Sequence, residues 1–219
     1  MINSTIKERI GNLKKRHAFD RITAYIDEPD IILLIGMRQT GKTSLLYQVI
    51  EYLLKKIPEK NIFYFNLEDN FILQSFNKNQ KELENYLASQ DTDKSEKIYI
   101  IIDEVQYMKD PSGFLKYYYD SFPRLKFIVS GSSSFEIRKK FKDSLAGRKK
   151  IISVLPLTFS EFIYFKTEKK HSLLSLDYPS KTKEISEIQK SELKMLLEEY
   201  LLFGGHPKVV LQETRERKI

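Results

Sequence analysis

The sequence predicts a three-layer α/β fold around a five-stranded parallel sheet, and two observations support this prediction. First, five short runs rich in Ile, Val, Tyr and Phe are almost continuously apolar, as in parallel strands that are buried on both faces. The runs are IILLI (31–35), NIFYFNL (61–67), IYIIID (98–103), LKFIVSG (125–131) and KIISVL (150–155). Second, helix-like segments separate the runs, and strands that alternate with helices form parallel sheets through right-handed crossovers.

The helices before and after the first strand are predicted from the spacing of apolar residues. Residues 1–29 are mixed and amphipathic, which predicts a helix leading to the strand. The clearest helical pattern lies in residues 43–56, where apolar side chains recur three and four apart. They are Leu45, Leu46, Val49, Ile50, Leu53 and Leu54. Pro58 follows and predicts the end of this helix.

Later helices are predicted from the residues at their ends. Ser133–Glu136 and Thr158–Glu161 both have the spacing of a capping box, in which two side chains satisfy the free amides of a helix N-terminus. A last helix is predicted over 184–202. It ends at Gly204 and Gly205, because glycine commonly follows the final helical turn.

The composition indicates a chain with a sizeable core that is not inserted in a membrane. Its 219 residues are 41% hydrophobic and 31% charged, and no uncharged apolar run approaches the roughly 20 residues that span a bilayer. The polar start MINSTIKERIGNLKKRH does not have the apolar segment of a secretory signal. There is no cysteine, which excludes disulfides and thiol catalysis. We therefore predict a cytoplasmic protein without a membrane partner.

The net charge of +7 leaves two interpretations open. Basic clusters occur at KKRH (14–17), RKKFK (138–142) and RKK (148–150). They would suit a polyanion such as DNA, or they would form a lysine-rich face exposed to water.

The segment GMRQTGKT (36–43) has the Gly-x-x-x-x-Gly-Lys-Thr spacing of a P-loop, the Walker A motif. Its glycines allow a tight turn that points backbone amides at phosphate oxygens, and the helix that follows adds the positive end of its dipole. We expect Lys42 to contact the β- and γ-phosphates during catalysis and the Thr43 hydroxyl to ligate Mg²⁺. The predicted nucleotide-binding residues are Gly36, Met37, Arg38, Gln39, Thr40, Gly41, Lys42, Thr43 and Ser44.

A second motif, which is acidic, follows about 60 residues later, where YIIIDEVQ ends a buried strand. Asp103 occupies the position of a Walker B aspartate, which holds Mg²⁺ directly or through water. Glu104 is the adjacent residue and is predicted to act as the general base that polarises the attacking water.

The Asp-Glu pair separates nucleotide-binding classes. A GTPase-like protein would have Asp-x-x-Gly at this strand end, whereas Asp103 is followed by Glu-Val-Gln, and kinases of small molecules usually lack the adjacent glutamate. Asp-Glu predicts ATP hydrolysis and an additional strand between the two Walker strands. We therefore expect strand 125–131 to lie between them and strand 61–67 to lie outside them.

At the end of strand 125–131, Ser132 or Ser133 is predicted to sense the γ-phosphate or orient water, although Ser133 also fits a helix N-cap.

Taken together, the motifs resemble those of a known family. GMRQTGKT, YIIIDEVQ, FIVSGSSSFEIR, SLAGRKKIISVLPLTFSEF and LLFGGHPKVV occur in this order over about residues 15–210. They are similar to AAA-type P-loop ATPases of bacteria and archaea that carry an uncharacterised C-terminal domain, related to the archaeal-ATPase and STAND groups. The resemblance implies a P-loop NTPase core followed by the start of a C-terminal helical lid.

The resemblance also implies roles for residues outside the Walker motifs. Arg148 of Ala-Gly-Arg would approach the γ-phosphate, within one chain or across a subunit interface. Pro207 of Gly-Gly-His-Pro would contact adenine. Gln106 matches the family without an assigned role. Arg38 occupies a loop position where arginine is ordinary, and we expect it either to lean over the nucleotide or to pair with Glu68 or Asp69.

Three segments are predicted. Residues 1–166 are expected to form the ATPase core, residues 167–190 a polar flexible loop, and residues 191–219 the truncated start of a helical lid or C-terminal domain, since members of the family that it resembles usually continue into a further domain. The predicted function is Mg²⁺-dependent hydrolysis of ATP to ADP and phosphate, with slow turnover if the domain is a molecular switch. The alternative is a nucleotide-gated module that binds DNA or protein and uses hydrolysis only to reset its state. An ATP-dependent homo-oligomer is the expected assembly.

Overall fold

The computed structural model describes residues 2, 4–93, 95–132, 141, 145–168 and 186–212. The strands of this part of the chain are β1 (Ile31–Gly36), β2 (Ile62–Asn66), β3 (Ile98–Asp103), β4 (Leu125–Ser132) and β5 (Lys149–Ser153). The helices are α1 (Ser4–Arg9), α2 (His17–Thr23), α3 (Lys42–Leu54), α4 (Asn70–Lys78), α5 (Glu82–Ala88), α6 (Pro111–Ser121), α7 (Phe159–Thr167), α8 (Glu187–Phe203) and α9 (Pro207–Val210). Short 3₁₀ turns span Glu59–Asn61 and Val105–Tyr107.

All five strands are parallel, in the order β2-β3-β4-β1-β5. This order confirms the predicted fold class. It also confirms that β4 separates the P-loop strand β1 from the acidic strand β3, with β2 on the outside. Gly36 pairs with Ser132, and Asn66 pairs with Asp103. The carboxyl ends of β1, β3 and β4 therefore meet at one edge of the sheet.

The chain divides into two compact units. The first unit contains Met1–Arg38 and Lys42–Val154, and the second contains Gln39–Gly41 and Leu155–Ile219.

The sheet of the first unit is covered on both faces, which explains why its strands are continuous apolar runs in the sequence. Alternate residues of β1 belong to two separate core clusters, with Leu33 in one and Leu34 in the other. Helices α4, α5 and α6 supply apolar side chains to the first cluster, and helices α1, α2 and α3 supply the second. Helix, sheet and helix thus form the three predicted layers.

The second unit has a small core of its own. Helices α7, α8 and α9 pack around Leu157, Phe162, Ile163 and Val210, with Tyr200 at the border of this cluster. The predicted capping box at Thr158 and Glu161 is present at the start of α7.

Several predicted boundaries differ from the structure. Residues 1–29 form two short helices rather than one, and Gly11 lies between them at φ 101°. The last strand is Lys149–Ser153 rather than 150–155. Helix α7 ends at Thr167, and α8 begins at Glu187 with a capping box that the sequence reasoning missed. Residues 169–185 lie outside the described residues, as does the capping box predicted at Ser133–Glu136.

A buried lysine connects β4 to the segment before β1. The side chain of Lys126 is 2% exposed, and its ammonium donates hydrogen bonds to the carbonyl oxygens of Tyr25, Glu28 and Asp30 at 2.5–2.9 Å. Burial lowers the pKa of Lys126 to about 8 from its ordinary 10.5. One side chain thus satisfies three carbonyls of an irregular segment at the edge of the sheet where β1 and β4 begin.

Replacing Lys126 by methionine is expected to lower the free energy of unfolding by about 2 kcal/mol at pH 7, because buried carbonyls lose their donor. The folded pKa of Lys126 is lowered, so between pH 8 and 10.5 the unfolded chain binds the extra proton. Its contribution to stability therefore increases with pH across this window, and the gap between parent and variant is expected to widen. Urea denaturation at pH 7, 8.5 and 9.5 measures the difference in the free energy of unfolding between parent and variant. Lys116→Met, at an exposed position of α6, is the matched control. A gap that narrows with pH would contradict the prediction.

Candidate functional site

The loop between β1 and α3 adopts the backbone conformation that its glycines predict. Gly41 has a φ of 89°, which is in the left-handed region that favours glycine. Gln39 also has a positive φ of 63°, which is uncommon for a side chain of this kind and is typical of functional loops. Helix α3 begins at Lys42, directly after the turn. Its first amides lack partners within the helix and are therefore available to an anion.

Lys42 is a buried cation whose described partners are neutral. It is 4% exposed, and its ammonium donates to the carbonyl oxygens of Gly36 at 3.1 Å and Met37 at 3.0 Å. Within the described residues, no carboxylate forms an ion pair with it. A buried ammonium that is not neutralised by a carboxylate favours an anion nearby.

The two predicted metal ligands lie next to each other. The Thr43 hydroxyl donates to Asp103 Oδ2 at 2.7 Å, although the two residues are 60 positions apart in the sequence. A hydroxyl and a carboxylate at the end of a P-loop provide the oxygen ligands that Mg²⁺ prefers. The donor set therefore fits the predicted metal.

Two side chains that the sequence reasoning missed hold Asp103 in place. The Tyr64 hydroxyl donates to Asp103 Oδ2 at 3.1 Å, and the Ser130 hydroxyl donates to Asp103 Oδ1. Burial, followed by the negative charge of Asp103, raises the pKa of Tyr64, so that its phenol remains a donor. A hydroxyl residue directly after the apolar run FIV of a buried strand was the signal that could have identified Ser130, and the tyrosine in IFYFN carried a weaker one.

Glu104 projects from a sharp change of backbone direction at the end of β3. Its φ of 59° and ψ of 46° are left-handed, which costs a non-glycine residue roughly 1–3 kcal/mol. Its amide donates to the Ser130 hydroxyl at 3.1 Å, so that one serine contacts both acidic residues. This conformation turns Glu104 away from the regular path of the strand.

Gln106 occupies a position that connects β3 to β4. Its side-chain amide donates to Glu104 Oε2, and its carbonyl oxygen accepts a hydrogen bond from the backbone N–H of Ser132 at 3.1 Å. The sequence suggested no role for Gln106, and the structure places it between the predicted base and the predicted sensor.

The remaining predicted residues at this edge of the sheet differ in exposure. Ser132 pairs with Gly36 across neighbouring strands, beside the P-loop. Thr40 is fully buried, Ser44 is half-buried, and Met37 is 60% exposed. Ser133, the alternative sensor, lies outside the described residues.

The structure does not show the predicted pairing of Arg38 with an acid after β2, and its alternative, contact with the nucleotide, stays a prediction. Arg38 is exposed and forms no ion pair with either acid in the described part of the chain. Asp69 instead caps α4 by accepting a hydrogen bond from the amide of Phe71 at 2.8 Å.

Arg148 lies at the opposite edge of the sheet from the P-loop. Its carbonyl accepts a hydrogen bond from Ile31 at the first residue of β1, whereas Gly36 ends that strand. The five residue steps between them span about 16 Å at ~3.3 Å per residue. The guanidinium pairs with Asp120 at 2.8 Å. The prediction that Arg148 reaches a γ-phosphate within its own chain is therefore corrected, and only the action across a subunit interface stays a prediction.

In the second unit, the Gly-Gly-His-Pro motif has a structural role. Gly204 ends α8 at φ 74°, and the Gly205 carbonyl accepts a hydrogen bond from the amide of Leu157 at 2.6 Å. Pro207 is the first residue of α9, where its missing N–H is not needed. Contact of Pro207 with adenine stays a prediction.

Comparison with known proteins identifies the family. Residues 28–163 match the model of a family described as an AAA domain. The chain belongs to this family of AAA domains. Membership indicates a nucleotide-binding, ATPase-type function. The family model covers the P-loop, the acidic strand end and the predicted sensor strand.

The relatives with similar sequences are uncharacterised and longer. Two proteins of Methanocaldococcus jannaschii are 30% identical over 188 residues and 31% identical over 169 residues, which are 86% and 73% of this chain but 38% and 34% of theirs. A protein of Haemophilus influenzae is 26% identical over 92% of this chain and 45% of its own length. The chain therefore spans less than half the length of each of these relatives.

Two solved structures share the fold of this chain. The Walker-type ATPase PABY2304 of Pyrococcus abyssi matches 90% of this chain and 65% of its own, with a TM-score of 0.53 and 18% identity. PCH-2 of C. elegans matches 94% of this chain and 64% of its own, with a TM-score of 0.55 and 17% identity. At this level of identity the likeness shows the fold alone. Separately, none of the helices in the described ranges has the length and apolar character to cross a membrane.

Proposed function

We propose that the chain binds ATP with Mg²⁺ at the P-loop and hydrolyses it to ADP and phosphate. The observation that carries this proposal is the 2.7 Å hydrogen bond from Thr43 to Asp103, which joins the first turn of α3 to the carboxyl end of β3 and so brings the two Walker motifs together. The buried ammonium of Lys42 belongs to the same loop as Thr43. A cation and a pair of oxygen ligands are what a magnesium-bound triphosphate requires.

The residues divide between binding and chemistry according to their partners. Asp103 accepts hydrogen bonds from three hydroxyls, those of Thr43, Tyr64 and Ser130, so its carboxylate is fixed and suits a metal ligand. Glu104 accepts one from Gln106 within the described structure, so its other oxygen remains available to a water. Mg²⁺, when bound, would neutralise part of the phosphate charge.

Hydrolysis would then need a positioned base. The oxygen of a water forms a bond to the γ-phosphorus while the bond from that phosphorus to the β,γ-bridging oxygen breaks, and Glu104 accepts the proton of the water. Lys42 and the amides of the P-loop stabilise the charge on the phosphate oxygens. Ser132, which pairs with Gly36 across neighbouring strands, would hold the γ-phosphate or the water.

The assembly and the output of the site are part of the same proposal. Arg148 would complete the site of a second copy of the chain, since it lies far from the P-loop of its own. Turnover would be slow in the isolated chain if its role is that of a switch, and a DNA or protein partner would then change the rate.

The test is steady-state release of phosphate from ATP, with and without Mg²⁺ and with and without DNA. We expect release to stop when EDTA removes Mg²⁺. Lys42→Ala is expected to weaken ATP binding at least 30-fold, or about 2 kcal/mol, because the buried cation is lost. Isothermal titration measures this affinity.

The matched control is Lys55→Ala. Lys55 is an exposed lysine that directly follows α3, the helix that begins at Lys42, and it pairs with Glu51. This control should retain the parental affinity. ATP binding by Lys42→Ala with parental affinity would show that the nucleotide site lies elsewhere. Binding without any phosphate release would leave the nucleotide-gated module as the better account.

A further inference from the structure

The side chain of Gln106 forms hydrogen bonds both with the carboxylate of Glu104 and with the backbone N–H of Ser132. It lies in the 3₁₀ turn Val105–Tyr107 that directly follows β3, and its two contacts use the two ends of its amide group. The family resemblance does not explain this position, and the chemistry proposed above does not use it.

The chemistry of the two contacts determines which way the amide points. The backbone N–H of Ser132 can only donate, so the Gln106 carbonyl oxygen must face it. The NH₂ group then faces Glu104, whose carboxylate can only accept. A glutamine satisfies both neighbours, whereas a glutamate would satisfy Ser132 and repel Glu104.

The contact also restricts the carboxylate. A glutamate side chain has several rotatable bonds, and a base must be held within roughly 0.5 Å of its productive position. Gln106 is itself anchored to the end of β4, where Ser132 pairs with Gly36 of the P-loop strand. The orientation of Glu104 is therefore set by the strand next to the phosphate site as well as by its own turn.

We propose that Gln106 is a positioning residue, which orients the Glu104 carboxylate toward the attacking water by fixing it to the end of β4. This inference rests on the proposed ATP hydrolysis and assigns to it a residue that does not touch the nucleotide. Gln106 would act on the rate of the chemical step and not on the affinity for ATP.

Two variants test this role through hydrolysis. Gln106→Leu removes both contacts, and Gln106→Glu keeps the contact to Ser132 while replacing the donor that faces Glu104. Both are expected to lower kcat about 10- to 100-fold, with KM for ATP within about threefold of the parent, as for residues that orient a first ligand or base. A purely structural anchor for β4 would be lost in Gln106→Leu only.

A second measurement needs no nucleotide. Gln106→Glu places two carboxylates together, and we expect it to lower Tm by about 3 °C in the parent. When Gln106→Glu is made in the Glu104→Gln background, the amide at position 104 can donate to the carboxylate at position 106, so a hydrogen bond between the two side chains is restored. The change in Tm caused by Gln106→Glu is then expected to be below about 1 °C. This difference is the coupling between positions 104 and 106.

The two measurements together decide the proposal. Loss of kcat in both variants with coupled Tm changes supports it. Three results would each overturn it. The first is a Gln106→Glu variant with parental or higher kcat, and the second is a KM for ATP that rises in either variant by the factor by which kcat falls. The third is a Tm change for Gln106→Glu that is the same in the parent and in the Glu104→Gln background. A parent that binds but does not hydrolyse ATP would overturn the proposed function and the positioning role with it, and the Tm cycle would still report on the contact by itself.

Discussion

Replacing Glu104 by glutamine is expected to reduce the rate of ATP hydrolysis by about 10³-fold, while the affinity for ATP stays within about threefold of the parent. This loss corresponds to about 4 kcal/mol of transition-state stabilisation. Glutamine has the same size and can still bond to Gln106, but it cannot accept the proton of the attacking water. The neighbouring Asp103 is not expected to replace it, because the proposed mechanism assigns that carboxylate to Mg²⁺.

Single-turnover hydrolysis with excess protein, together with isothermal titration of ATP, measures both quantities. The matched control is Glu68→Gln, which removes an exposed carboxylate after β2 and should retain the parental rate. Parental hydrolysis by Glu104→Gln would mean that another group activates the water. A large loss of ATP affinity would instead assign Glu104 to nucleotide binding.

Substituting Gly205 by alanine is expected to destabilise the second unit by about 3–4 kcal/mol, the sum of an overpacking cost and a lost hydrogen bond. A Cβ atom at this position would lie 2.3 Å from the carbonyl oxygen and 3.1 Å from the amide nitrogen of Leu157, and 3.1 Å from the ring of Tyr200. The obstacle is backbone, which cannot rotate away as a flexible side chain would. Overpacking of this kind costs roughly 1–3 kcal/mol, and the 2.6 Å hydrogen bond between Leu157 and Gly205 would be lost in addition.

Urea denaturation followed by circular dichroism measures this change. Gly147→Ala is the control, since Gly147 has a positive φ of 72° and a methyl group added there would meet nothing within 4 Å beyond its chain neighbours. Gly147→Ala should lower the free energy of unfolding by only about 1 kcal/mol, the cost of holding alanine in a backbone conformation with positive φ. Equal losses in the two variants would show that conformation rather than packing selects glycine at position 205.

The behaviour of Gly205 explains part of a motif that the sequence linked to adenine. The close approach of Leu157 requires a residue without a side chain at 205, and this requirement does not depend on a nucleotide. The role of Pro207 toward adenine is a separate matter, which the Gly205→Ala experiment does not address.

Much of the first unit could be predicted from the sequence because local patterns and burial agree there. Strands covered on both faces are continuously apolar, so their number and direction were apparent from five runs. The positions of β4 between β1 and β3 and of β2 outside them followed from the Asp103–Glu104 pair, since that pair belongs to sheets with a strand between the two Walker strands. The P-loop was predicted for a similar reason, because its function depends on residues that are consecutive in the chain.

Contacts between distant residues could not be predicted in the same way. Ser130 and Tyr64 come from different strands, and only the register of the sheet brings both to Asp103. Arg148 illustrates the reverse case, since its place in a motif suggested the γ-phosphate, whereas its place just before a parallel strand puts it at the far edge of the sheet.

The sequence by itself determined the parallel sheet, the phosphate-binding turn and the acidic pair, because each depends on the order of neighbouring residues. Only the tertiary structure decided which side chains hold Asp103 and Glu104, and that Gln106 connects the predicted base to β4. The physical reason is that hydrogen bonds depend on distance and direction in space, and these are set by strand register and packing rather than by spacing along the chain.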